Sequence, residues 1–490
     1  MGYDLSEMIC FQSITVNEPV IQKNKVDTTI TLCFLDGKEK QFILRHNYPY
    51  CLDETDISFL RLACCMPLLN YGLFTQKIQL DFALPQPDIT LLQTLNTIFS
   101  KDIYVNKILQ QKTNYILSSY LLKPQQNVIQ SCIYPAKIIA QKNNIDDKIK
   151  LDLDPLRCGV LSSGGKESLL SYALLKEIGC EVYPFYINES GGHWRTALLA
   201  YRHHQQTQPH TKRVWTNVDR FYTFMLDNLF FIRKDHRNIW ADTYPLRLCI
   251  FPFYIFSLLP LFMKYRIGNL LLGSEFDDIR SPPIYQGISH YFGIYDQHQD
   301  YDSLMNEWYK KRIPKLVQWS VVRNISGLIV ERILVKRYPV LASYQRSCHS
   351  CHIKNKQIIP CGSCSKCLGV LLFLLANNDD PTLMKLPALD AGQYIKQATF
   401  EPLHLDEDEK NHCLYLIQKN KEKPKYTLTD HVEQIHHDTS LCDLSNIPIH
   451  LRDKLLSIFE QYTKGYCILE HDSWKTITKN DVYTSHILRG

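Results

Sequence analysis

The sequence lacks most of the features that would settle its class at a glance. There is no excess of one charge: 55 Lys+Arg stand against 50 Asp+Glu, a formal +5 over 490 residues, which excludes a strongly basic nucleic-acid arm. There is no internal repeat, no long low-complexity tract and no collagen-like glycine period. No apolar run is long enough to cross a bilayer. The best candidate, Cys249 to Met263, falls short of the ~20 residues a spanning helix needs and is interrupted by Pro252 and Pro260, so a buried helix is expected there. No basic segment followed by an apolar stretch and a cleavage site opens the chain, so export is not expected. Met1 to Ser6 fits the loose myristoylation pattern, which is short enough to arise by chance.

What remains is a globular composition, 45% hydrophobic, with length for about three domains at roughly 100–200 residues each. Of 17 cysteines, most are scattered (Cys10, Cys33, Cys64, Cys65, Cys132, Cys249, Cys467) and suit small buried hydrophobic positions. Cys348, Cys351, Cys361, Cys364 and Cys367 instead crowd into one short stretch. Without an export signal, that clustering points to a metal site in a reducing, cytoplasmic compartment rather than to disulfides.

Residues 1–150 carry strand-like alternation (27–34, 40–44) and apolar helical runs (57–69), and are expected to form an N-terminal α+β domain that covers or docks on the rest of the chain. From Leu156 the pattern becomes strand, glycine turn, helix, strand, the signature of a parallel βαβ unit. Strands are expected at 158–163, 180–187, 213–218 and 267–273, with a helix from Lys166 to Ile178 ended by Gly179. The fold class is therefore α/β, a doubly wound parallel sheet over 155–345. A metal-binding segment and helix come next at 346–380, then a charged, loop-rich extension at 381–490 with an acidic run at 406–410, a lysine-rich run at 419–425 and a helix at 451–462.

Two segments carry chemistry. Ser163-Gly164-Gly165-Lys166-Glu167-Ser168 lies between a strand and a helix, where main-chain N–H groups converge at the positive end of the helix dipole and make a phosphate site. The glycines let an anion reach the main chain, the Ser163 and Ser168 hydroxyls can donate to phosphate oxygens, and Lys166 adds a movable positive charge. The Walker pattern is absent. The second segment is Cys348-x2-Cys351, nine residues, then Cys361-x2-Cys364-x2-Cys367, with five thiolates for the four positions of a tetrahedral zinc.

The 163–168 segment resembles the SGGxDS loop of the N-type ATP pyrophosphatases, the PP-loop family, with Glu167 in place of aspartate. That resemblance implies an adenine nucleotide alpha hydrolase-like fold, ATP with Mg²⁺ held through Ser163, Gly164, Gly165, Lys166, Glu167 and Ser168, and transfer of AMP to a substrate oxygen. The Pro360-to-Cys367 run is similar to the terminal zinc motif of the 7-cyano-7-deazaguanine synthases of that family. This makes Cys351, Cys361, Cys364 and Cys367 the preferred Zn²⁺ ligands, with Cys348 able to replace Cys351, and His349 or His352 as substitutes. A long leader before the loop and later cysteines also resemble the ATP-dependent epimerases of UDP-N-acetylmuramoyl-alanyl-glutamate. The expected activity is adenylation of a small-molecule carboxylate followed by epimerisation, with Lys166, Ser168 and His193 in catalysis. The alternatives are amide or nitrile formation on a purine-like substrate or modified nucleic acid, and a zinc-stabilised interaction protein without catalysis.

Three weaker clusters remain. Asn188 to Arg195 follows a strand and opens a helix, so His193 and Arg195 can meet an anionic substrate or simply cap the helix. Gly273 to Asp278 offers acids for Mg²⁺ or a solvated loop. Arg233 to Arg237 can reach pyrophosphate or sit at the surface, and His290, Tyr291 and His298 are candidates for a general base.

Overall fold

The computed structural model describes residues 5–121, 133, 135–143, 148–239, 244–277, 284–348, 351–389, 391–398, 403, 405–418 and 426–484. Residues 1–4 of the myristoylation pattern, Cys132, Asp278, His349 and the 419–425 run lie outside them.

The N-terminal part contributes strands β1 (Phe11–Val16), β2 (Val20–Gln22), β3 (Lys25–Phe34) and β4 (Glu39–Asn47), helix α1 (Ile57–Cys65), β5 (Lys77–Pro85), α2 (Gln86–Ile103) and β6 (Lys137–Asn143). Alternate burial along β3 fits a strand with one face on a core. Next come β7 (Asp154–Leu161), α3 (Lys166–Glu177), β8 (Glu181–Asn188), α4 (His193–Thr207), β9 (Lys212–Thr216), α5 (Val218–Asn228), α6 (Phe251–Lys264) and β10 (Ile267–Leu272). A small hairpin, β11 (Ile284–Tyr285) and β12 (Ile288–Ser289), precedes α7 (Gln299–Arg312), β13 (Val317–Ser320), α8 (Gly327–Arg337) and α9 (Pro339–Ala342). The expected strands and the buried helix at 249–263 are thus present, and no described helix is long and apolar enough to cross a membrane.

The N-terminal part does not stand apart as a separate layer. One sheet of 11 strands runs in the order β13-β10-β7-β8-β9-β4-β3-β1-β5-β6, with β2 beside β3. The five strands β13-β10-β7-β8-β9 are all parallel. The antiparallel pairing of β4 with β9, His46 against Thr216 and Asn47 against Trp215, welds the N-terminal strands to their edge. Asn217 strengthens the seam: it accepts from Arg45 N (2.8 Å) and donates to Ile43 O (2.9 Å).

Every residue of β10 is buried because it lies between two cores. Leu270 and Leu272 join the core with α1, α2, α6 and α7, while Leu271 joins the core with α3, α8 and α10 on the other side. This alternation is what a doubly wound strand requires. Taken in chain order, the five parallel strands are arranged 3-2-1-4-5 from the β9 edge. The winding reverses between β7 and β10, the kind of switch point beside which open α/β sheets hold ligands.

The metal-binding segment and the extension are more regular than their composition suggested. The hairpin β14 (His352–Lys354) and β15 (Gln357–Ile359) leads into α10 (Ser365–Ala376), followed by α11 (Ala391–Ala398) and α12 (Glu407–Gln418). Strands β16 (Ile435–His437), β17 (Tyr466–Glu470) and β18 (Ser473–Ile477) form a small sheet, with α13 (Ile449–Phe459) before β17 and α14 (Lys479–Thr484) after β18. Leu451, Leu455, Leu456 and Phe459 of α13 enter the same core as α3 and α8. Glu407, Asp408 and Glu409 of the acidic 406–410 run form the first turn of α12, where carboxylates suit the helix dipole.

Candidate functional site

The 163–168 loop leaves β7 at the point where the winding reverses and caps α3. Gly164 is at φ +79°, a left-handed conformation, and a Cβ there would lie 3.2 Å from Ala197 Cα of α4. Gly165 is the N-cap of α3. The serines hold the loop from within: Ser163 N donates to Ser168 Oγ (3.4 Å), Gly165 N to Ser163 Oγ (3.3 Å), and Ser168 Oγ to Gly165 O (3.2 Å). These bonds are long for their types and therefore weak enough to be exchanged for stronger ones.

Lys166 departs from the expected movable charge. Its side chain is 7% exposed, and Nζ donates to Glu167 (2.5 Å) and to Glu275 (2.8 Å), the acid that follows β10. Burial lowers the Lys166 ammonium, but the charges of Glu167 and Glu275 outweigh that and hold it above the usual lysine value. Burial also pulls Glu167 upward, yet Lys166 holds it below the ordinary glutamate range, with the Lys366 charge adding to the effect. Glu275 is pushed up to about 7 by burial, against Lys166 and with Glu167 and Asp277 adding repulsion.

Two further carboxyls back this cluster. Burial raises Glu331 to about 8, although Gln345 Nε2 donates to it at 3.0 Å. Burial and then the Glu275 charge raise Glu409 to about 8, although it accepts from Leu328 N at 3.0 Å. Glu409 belongs to α12, so the extension reaches into the cluster beneath the loop. No sequence pattern marked Glu331 or Glu409.

The cysteine segment closes on the same loop, with Arg346 N donating to Gly164 O at 3.0 Å. The four sulfurs brought within 4.8 Å of one another are those of Cys348, Cys361, Cys364 and Cys367. Cys351 is not in this group and is replaced by Cys348. The β14–β15 hairpin folds the chain back so that Cys361 N donates to Cys348 Sγ at 3.2 Å, and Cys351 stays beside Cys348 but outside the four-sulfur group. Cys364 lies 4.0 Å from Cys348, and Cys361 lies 3.9 Å from Cys367. Tetrahedral zinc with bonds of ~2.3 Å sets sulfurs about 3.8 Å apart, so the group fits such a metal. Four thiolates leave no open position, which suits a structural role. The same turn exposes Lys366, whose charge reaches both Glu167 and His193. It is the accessible lysine beside the loop, and its place between two cysteines was the signal for it.

Beyond β8 and β9 lies a cavity of about 420 Å³, lined in part by Tyr71, Ser190, His193, Asp219, Tyr244 and Arg247. Ser190, at φ +67°, donates through Oγ to Thr216 O (2.7 Å) and fixes the turn between the two strand ends. Gly191 is required because the Asp219 carboxylate fills the place of a side chain: a Cβ would lie 1.3 Å from Oδ2. Arg247 is buried, its guanidinium 3.9 Å from the Tyr222 ring and 4.0 Å from the Tyr244 ring. Its two terminal nitrogens donate to Asp219 Oδ1 over long distances, 3.4 and 3.5 Å, and Glu189 lies at 4.0 Å. Asn70 positions this segment by donating to Cys249 O (2.9 Å) and accepting from Leu248 N (3.0 Å). Burial, and after it the charges of Lys366 and Arg247, bring His193 down to about 4, so it is neutral at pH 7; its Nε2 is paired with Tyr244 OH at 2.9 Å.

The remaining candidates lie apart from the loop in the contacts they make. Arg233 pairs with Asp235 at 2.6 Å, and His236 and Arg237 both pair with Asp227. His298 is the N-cap of α7, Tyr291 donates to Asp300 at 2.7 Å, and His290 is buried beside Ile288 O. Arg195 is exposed on α4. Comparison with family models, curated proteins and solved structures gives no match.

Proposed function

We propose that the protein is a PP-loop ATP pyrophosphatase-type enzyme that adenylates a substrate carboxylate and releases pyrophosphate. The observation that carries this reading is the loop itself, a glycine-bearing helix N-terminus at the reversal of a 3-2-1-4-5 parallel sheet with the acid of the neighbouring strand across from it. In this reading the amides of the first turn of α3 and the Ser163 and Ser168 hydroxyls take the phosphates. Lys366, rather than the buried Lys166, supplies the mobile charge. Glu167 and Glu275 are the oxygen donors suited to Mg²⁺, which neutralises phosphate charge when bound.

The chemistry follows from charge. A carboxylate resists loss of its α-proton because that step adds negative charge beside an existing one. When its oxygen attacks the α-phosphorus, the bond to the β-phosphate oxygen breaks, pyrophosphate leaves, and the acyl adenylate that forms is neutral at the former carboxylate. His193, neutral at pH 7 at the start of α4, is then suited to take an α-proton; its return to the opposite face before water releases AMP is epimerisation. Incubation with ATP, magnesium and a panel of amino-acid and peptide carboxylates in deuterium oxide tests both steps. AMP and pyrophosphate in equal amounts with deuterium at the α-carbon are expected. AMP without deuterium removes the epimerisation step, and no AMP with any acid removes the whole reading.

A further inference from the structure

The near-even charge balance of the chain hides a local separation. Although 50 Asp+Glu are spread over 490 residues, two long stretches hold none: between Glu189 and Asp219 there are four Lys+Arg and no acid, and between Glu331 and Asp379 there are seven Lys+Arg and no acid. The fold sets these stretches side by side. Thr196 Oγ1 of α4 donates to Cys348 O at 2.8 Å, the His203 ring of α4 stacks on the Tyr344 ring at 4.0 Å, and β15 packs against the same helix.

The periodicity of α4 gives this joint a defined surface. Ala197, Ala200 and His204 are its buried face, and Arg195 and Arg202, two turns apart, are exposed on the opposite crest. Thr196 and His203 form the flank that meets the 344–348 stretch, and Trp194 and Tyr201 form the other flank. The exposed Arg213 of β9 lies over both of those rings, 5.5 Å from each centroid. On the cysteine side, Lys354 and Lys356 are exposed at the turn of the β14–β15 hairpin, and Lys366 is exposed at the start of α10. None of these six cations forms an ion pair among the described residues. Glu177, at the end of α3, is already committed to Arg337 (2.5 Å) and Tyr338 (2.6 Å).

We propose that this ridge binds single-stranded nucleic acid, with phosphates along Arg195, Arg202 and the hairpin lysines and bases against the stack of Arg213, Trp194 and Tyr201. A free strand offers repeated negative charge together with flat π faces, and cations interleaved with rings are the surface that takes both. An acidic peptide would use the cations alone. A membrane fits less well, because the exposed positions of α4 are Arg195, Arg202, Gln205, Gln206 and Thr207, with no apolar side chain to enter the headgroup layer. The proposal does not rest on the adenylation reading.

Fluorescence anisotropy tests it, with end-labelled RNA and DNA strands of about 12 nucleotides titrated with the full chain at about 50 to 200 mM KCl. Saturable binding is expected. Its logarithm should fall against log[KCl] with a slope of about −3 to −4, the ~0.7 per phosphate of single strands taken over roughly four to six contacts. Arg195→Gln combined with Arg202→Gln should weaken binding at least fivefold and reduce that slope by about 1. Lys310→Gln combined with Lys311→Gln should leave it unchanged, since α7 packs in the core on the other side of the sheet. All four positions are exposed, and equal melting temperatures check that the variants fold. Binding of either strand supports the proposal, and the tighter of the two names its source. No anisotropy change with either strand at the lowest salt overturns it, as does equal affinity of the arginine variant and the parent. Displacement of the strand by polyglutamate of equal total charge, or by phosphatidylserine vesicles, assigns the ridge to a peptide or a membrane and also overturns it.

Discussion

Two buried cations in this molecule are treated in opposite ways. Lys166, beneath the loop, is locked between Glu167 and Glu275 at 2.5 and 2.8 Å, with Glu331 and Glu409 behind them. Arg247, in the cavity, lies between two tyrosine faces with its acids at 3.4 Å and beyond. Both are less than a tenth exposed. The difference is one of completion. A tightly paired ion in a closed cluster works as floor, fixing the turn that carries the amides, whereas Arg247 is held by ring faces and longer hydrogen bonds on a wall open to a cavity. A lysine in a glycine-bearing loop at a helix N-terminus therefore need not be a mobile charge.

The largest effect is expected where the closed cluster is tied to the cysteine segment. One zinc per chain should be found by elemental analysis, lost in Cys348→Ser and kept in Cys351→Ser. Chelation should unfold the region around the loop, since a structural zinc site is worth roughly 10 kcal/mol of apparent binding free energy. Retention of metal in Cys348→Ser would break the account of the hairpin.

Next is the direct contrast between the cations. Lys166→Met leaves Glu167 and Glu275 facing each other without a counter-ion and should lower stability by about 3–5 kcal/mol in chemical denaturation at pH 8. Arg247→Met gives up its contacts with two rings and its long hydrogen bonds to Asp219 and should lose less, about 2 kcal/mol. Equal losses would erase the distinction between floor and wall.

A smaller effect is expected with pH. Glu331 titrates near 4.5 when unfolded and about 8 when folded, so the native state binds the extra proton between those values. Its contribution to stability is full below about pH 4.5 and is lost as pH rises to about 8. Glu331→Gln should therefore flatten the fall in melting temperature across that window, and an unchanged slope would place the lost protons elsewhere. The smallest change is Gly164→Ala. It forces a side chain into a left-handed conformation 3.2 Å from Ala197 Cα and should cost about 1–2 kcal/mol in denaturation, with the loop displaced.

The features readable from the sequence were those built from neighbours. Gly164, Gly165 and Ser168 lie within one turn of chain, and β7, α3 and β8 follow from local periodicity, so loop and strands were legible together. Cys361, Cys364 and Cys367 were legible from spacing, but the choice between Cys348 and Cys351 depends on how a hairpin turns back, which spacing does not encode. The cavity was the least legible. Tyr71, Asp219 and Arg247 meet only because Asn70 clamps the 247–249 segment and β4 joins β9. Arg247 did carry one faint signal, a lone charge at the head of an apolar run. Glu409 carried none, since an acid in the first turn of a charged helix looks the same whether it faces water or a buried lysine.

The central claim is that the amides of the 163–168 turn hold the phosphates of ATP, and isothermal titration of the full chain with ATP and magnesium addresses it most directly. Saturable one-to-one binding is expected, weakened at least tenfold in Gly164→Ala while the melting temperature stays within a few degrees of the parent. Absence of binding heat over a range of temperatures, or equal affinity in the two proteins, would contradict the account.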